Sequence, residues 1–121
     1  MTFRDAYIGD LDAPGFRWEG GNWSGNSPTA LGPLFPPMGG NQSAFDKVRE
    51  LVAAGDLPGK QTDWGCWVVK VSKAQLRELI TQWYAGANAP MEHLRFRLRE
   101  LQDFVEQLDD SALYGLCADE F

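Results

Sequence analysis

A chain of 121 residues with 44% apolar composition, five Trp and seven Phe is long enough to bury its own core and too hydrophobic to stay disordered, so it needs no metal or disulfide framework. Its net charge of −6 argues against direct nucleic-acid binding and against docking on an anionic membrane, since both depend on basic surfaces. The charge is segregated: residues 1–99 hold all eleven Lys and Arg against ten acids, whereas residues 100–121 hold seven acids and no base.

The length fits a single domain, residues 1–121. The opening MTFRDAYIGDLDAPG has no basic segment followed by an apolar one, and no stretch approaches the roughly 20 apolar residues of a membrane span, so the expectation is a soluble cytoplasmic protein. In that compartment Cys66 and Cys117 read as reduced, buried thiols.

Residues 2–8, TFRDAYI, read as a short edge strand with Phe3 and Tyr7 on one face. From 9 to 40 the chain is a long Gly- and Pro-rich aromatic loop carrying Phe16, Trp18, Trp23, Leu34 and Phe35. Phe16 and Trp18 alternate with Arg17 and Glu19 ahead of Gly20-Gly21-Asn22, a hairpin signal. Pro33, Pro36 and Pro37 exclude a regular central strand further on. A loop of this length rich in rings either folds over the core or presents the rings to a partner.

A first helix is predicted over 44–54, with Phe45, Val48, Leu51 and Val52 on one face, Asn41 or Ser43 as its cap and Gly55 as its stop. Pro58-Gly59 reads as a turn. Trp64 to Val71 is rich in aromatic and β-branched residues and reads as a strand buried on both faces at its centre. Ser72-Lys73-Ala74-Gln75 has the form of a capping box, in which a Ser hydroxyl and a Gln side chain satisfy each other's backbone N–H groups. The helix it opens runs to about Ala85 with Leu76, Leu79, Ile80, Trp83 and Tyr84 on one stripe, and Gly86 closes it.

Pro90 suits the first turn of the next helix, in which Met91, Leu94, Leu98, Leu101, Val105 and Leu108 recur in steps of three and four as far as Asp109. Ala112 to Phe121 reads as a terminal strand. The expected fold class is therefore α+β: a small antiparallel sheet packed with about three helices, whose C-terminal core over 64–121 is a β-α-α-β unit. Two intervening helices make its two strands antiparallel, which brings Cys66 near Cys117.

No catalytic set emerges. His93 is the only histidine, so a metal site with two His is excluded, and a Ser-His-Asp or Cys-His arrangement has to recruit it alone. Neither GxxxxGK[ST] nor a GxGxxG between strand and helix occurs, and no cofactor is implied. Asp103, Glu106, Asp109 and Asp110 lack the ligand spacing and central glycine of a calcium loop, so no metal is implied either.

The long helix is more informative, because its charges oppose its dipole. Arg95, Arg97 and Arg99 lie in its first half and Glu106, Asp109 and Asp110 at its C-terminal end, a mismatch of about 0.3–1 kcal/mol per end charge at low salt. Either basic residues elsewhere in the fold neutralise that end, or a basic partner does. Phe96 falls opposite the apolar stripe and should be exposed unless another element covers it. The favoured reading is a small acidic binding protein and not an enzyme: an inhibitor, immunity or accessory protein that blocks a basic surface of another protein, a nucleic-acid-binding surface being one candidate, through Phe96, Asp103, Glu106, Asp109, Asp110, Trp18 and Trp23. One rival is a small-molecule binder or enzyme with a pocket between the sheet and the 9–40 loop, lined by Trp18, Trp23 and His93. Another is a homodimer joined through Phe96.

Overall fold

The structure, a computed structural model, describes residues 4–14, 16, 18, 28–38, 42–63, 65–85 and 92–120, with the side chains of Asp63, Glu92 and His93 excepted. The elements are β1 (Arg4–Asp10), β2 (Thr29–Ala30), α1 (Ala44–Ala54), β3 (Gly59–Asp63), β4 (Cys66–Ser72), α2 (Lys73–Tyr84), α3 (Glu92–Glu106) and β5 (Leu113–Glu120). The five strands form one antiparallel sheet in the order β2-β1-β5-β4-β3. The protein is of the α+β class.

Strand alternation divides the core in two. On one face Ala6, Ile8, Val69, Val71, Leu116 and Ala118 meet Phe45 and Val48 of α1, Leu76, Ile80 and Tyr84 of α2, and Leu101 and Val105 of α3. On the other face Tyr7, Cys66, Val68 and Cys117 are covered by Ala13 and Phe16, with Leu11 and Trp18 packed at the margin. Gly9 lies on this second face, where an added Cβ would stand 2.8 Å from Pro28 Cβ and 3.0 Å from Cys117 Sγ. That approach admits no side chain.

The helix starts follow local chemistry. Ser43 Oγ accepts from Asp46 N, and Gly55, with φ 76°, takes the left-handed position that closes α1. At α2 both halves of the capping box form: Gln75 N donates to Ser72 Oγ at 3.2 Å and Ser72 N to Gln75 Oε1 at 2.9 Å. Beyond α3, N–H groups of Gln107 and Leu108 donate to the carbonyls of Phe104 and Val105, a tightened last turn that carries the chain to Asp109.

Several expectations need correction. β1 is no edge strand, because β5 pairs on one side of it and the two-residue β2 on the other. After β2, Leu31 N donates to Ile8 O within this flank and Phe35 N to Ala6 O, so the proline-rich segment shadows β1 without forming a regular strand. Pro58-Gly59 leads straight into β3, an edge strand held by backbone pairing with β4. Among the described residues the expected strand starts at Cys66; Trp64 lies outside them. Cys66 and Cys117 do come together in one cluster, offset in register so that Val68 faces Cys117 while Cys66 faces Asp119; both thiols are buried and neither is in a disulfide. The hairpin expected around residues 20–22, and Phe3, Gly86 and Pro90, lie outside the described residues.

Replacing Ser72 with Ala removes the cap that joins β4 to α2. We predict a loss of about 1 kcal/mol of unfolding free energy in urea denaturation; an unchanged midpoint would show that the cap does not hold this junction.

Candidate functional site

The site is built on α3. Its inward face is fixed by Leu101 and Val105, which are buried, and by Leu94, Leu98 and Phe104, which are partly so. At 100° per residue, Phe96, Glu100 and Asp103 share one outer ridge, at positions i, i+4 and i+7. All three are exposed. Phe96 is 68% exposed, the highest among the large apolar side chains of the described residues.

The acidic end of α3 finds its counter-charges in α2. Arg77 grips Glu106 with two parallel hydrogen bonds, Nε to Oε1 at 2.8 Å and Nη2 to Oε2 at 3.0 Å. Lys73, only 8% exposed, donates from Nζ to the Glu106 carbonyl at 2.8 Å and lies 3.5 Å from Asp110 Oδ1. The cations thus sit where the dipole of α3 calls for them. The bonds from Arg77 hold the Glu106 carboxyl below its ordinary range, and Glu106 in turn raises the Arg77 guanidinium. Asp109 is engaged differently. Its Oδ1 accepts from the Ser111 N–H at 2.9 Å and from the Ser111 hydroxyl at 2.8 Å, and these bonds lower its pKa. Its own N–H donates to the Tyr114 hydroxyl at 2.9 Å.

Glu106, Asp109 and Asp110 are exposed but have partners within the fold, while Asp103 stands on the outer ridge beside Phe96. Lys73 and Arg77, absent from the sequence-level site, are what separates the two groups. Their i, i+4 spacing marks a basic ridge on α2, but only the packing of α2 against α3 shows what it meets.

Trp18 is on the other side of the molecule, over the sheet face that carries no helix. It packs against that second cluster, Lys60 Nζ donates to its carbonyl, and the ammonium groups of Lys70 and Lys60 lie 4.3 and 5.3 Å from its ring centroid. The structure does not bring Trp18 and Phe96 together. Trp23 lies outside the described residues, and so does the side chain of His93. One cavity between the sheet and the 9–40 segment has its loop wall from Leu34, Phe35, Pro36 and Pro37.

On the second face the Tyr7 hydroxyl donates to Asp119 Oδ2 at 2.7 Å and lies 3.2 Å from Pro28 O. Burial pushes the Tyr7 phenol and the Cys117 thiol well up, which keeps the thiol protonated and a poor nucleophile. Among the described residues no three His, Cys, Asp or Glu side chains come together to hold a metal ion, and no helix is long and apolar enough to cross a membrane. Comparisons with protein-family models, curated proteins and solved structures return no match.

Because Glu106 and Asp109 have lowered pKa values in the folded chain, the stability they contribute is full above the ordinary carboxylate values, around pH 4 to 5, and is lost as the pH falls through the folded values. Glu106→Gln should make the acid limb of the stability–pH curve shallower. An unchanged limb would contradict the clasp.

Proposed function

We propose that this chain is an acidic binding protein, of the inhibitor, immunity or accessory kind, that covers a basic surface of another protein. The outer ridge of α3 is its recognition surface. The observation that carries the reading is the exposure of Phe96 on a helix whose other large apolar side chains turn inward. The ring packs into neither buried cluster of the described residues, and aromatic side chains are enriched at the centres of protein interfaces.

Glu100 and Asp103 border that ring with negative charge. A basic partner would be steered toward them, while Phe96 would supply the desolvated contact. Glu106, Asp109 and Asp110 add to the field from behind the contact, since their close partners are internal. A target that normally holds nucleic acid fits this charge pattern. A cytoplasmic setting goes with the reading, because two cysteines outside any disulfide are stable where glutathione keeps thiols reduced.

The test is affinity capture from the native host with immobilised wild type, Phe96→Asp and Asp103→Lys. A specific basic protein should be retained by wild type and lose roughly tenfold or more in affinity with Phe96→Asp. Asp103→Lys should weaken capture most at low salt. Capture that both variants leave intact would contradict the proposal. If wild type sediments as a dimer that Phe96→Asp turns into a monomer, the ridge serves self-association instead.

A further inference from the structure

The inner flank of α3 leads to a second site, independent of the outer ridge. A cavity of about 330 Å³ opens between β1, the start of α1, the Leu34–Pro37 segment and α3. This is at the lower end of the ~300–1,000 Å³ usual for small-ligand sites. Its apolar wall is made by Phe35, Phe45, Leu34 and Pro36, and its charged side chains are Arg4 and Arg97. Asp5 also borders it, but strand alternation sends side chains of Ala6 and Ile8 to the helix face and those of Asp5 and Tyr7 to the other. The carboxylate of Asp5 is thereby turned from the cavity.

Arg97 is the telling group. It is partly buried, and among the described residues no carboxylate lies within salt-bridge distance of it. Its charge is felt at the Tyr84 hydroxyl, yet that hydroxyl is already committed, donating to Pro36 O at 2.6 Å. A guanidinium drawn partly out of water beside apolar walls, with no anion among the described residues, is costly unless a ligand completes it. Arg4 gives weaker help: it is shared with Glu120, 3.6 Å away, and lies 5.5 Å from the Phe45 ring centroid.

We propose that this cavity binds a small organic carboxylate with an aromatic or branched apolar body, its carboxylate on Arg97 and its body between Phe35 and Phe45. One uncommitted guanidinium matches one planar carboxylate in a two-bond fork. A dianion would require a second free cation, and Arg4 is already engaged.

The test uses 3-phenylpropionate and its neutral isostere 3-phenylpropanamide as probes, titrated into the whole chain and followed by amide NMR. The acid should give saturable shifts at Ala6, Phe35, Phe45 and Arg97 and at the Trp83 indole, whose ring lies 5.9 Å from that of Phe35. The amide should bind roughly tenfold or more weakly, as should the acid to Arg97→Gln, the loss expected for one charge-assisted pair. Arg99→Gln, on the exposed side of the helix, should bind like wild type. If the acid does not saturate, if acid and amide bind alike, or if Arg97→Gln binds the acid as wild type does, the proposal is wrong. The comparison of acid with amide on wild type decides the matter even if Arg97→Gln folds poorly.

Discussion

The structure depends on the pairing of β5, the last strand of the chain, into the middle of the sheet. β5 bonds to β1 along one edge and to β4 along the other, so the first and the last segments of the sequence are neighbours. Its residues Leu116, Cys117 and Ala118 are fully buried, and they serve both faces in alternation. No sheet closes until this strand arrives. The constraint also places the helices: β5 starts beside the end of β4, Ser72 facing Leu113, so helical passes inserted between them must be even in number, and α2 and α3 are one pass out and one back.

Those passes settle the charge problem on α3. The packing of α2 against α3 brings the start of α2 to the end of α3, and with it Lys73 and Arg77 to Glu106 and Asp110. A helix that would be mismatched alone is matched by its neighbour. The arrangement gives the acidic end counter-charges within the fold while leaving it at the surface, the Glu106 side chain 55% and the Asp110 side chain 88% exposed. Among the described residues, the ridge of Phe96, Glu100 and Asp103 on one side of α3 and the Arg97 guanidinium on another have no salt-bridge partner.

Local signals in the sequence were strong where chemistry is local. Ser43, Gly55 and the Ser72–Gln75 pair mark helix ends by hydrogen bonds to residues three or four away, and the apolar stripes of α1 to α3 mark their inward faces. Phe96 was readable as an outward residue from angle alone. β3 was not readable: Gly59-Lys60-Gln61-Thr62-Asp63 has no strand pattern, and it is extended because β4 offers it a backbone edge. The same holds for β2. The offset of Cys66 from Cys117 depends on register, which spacing along the chain does not determine. The Arg97 cavity was hidden for a similar reason, since its walls come from four segments far apart in sequence. The rings of 9–40 were legible as ordered or recognising but not as divided, with Phe16 and Trp18 on one face of the sheet and Phe35 on the other.

The central claim is that partner recognition lies on the outer ridge of α3 and not on its acidic end. It is tested most directly by site-specific photo-crosslinking in the native host, with p-benzoylphenylalanine placed at Phe96 in one chain and at Asp110 in another. A discrete adduct from position 96 and none from position 110 is the result predicted. An adduct from position 110 with none from position 96 would contradict the account.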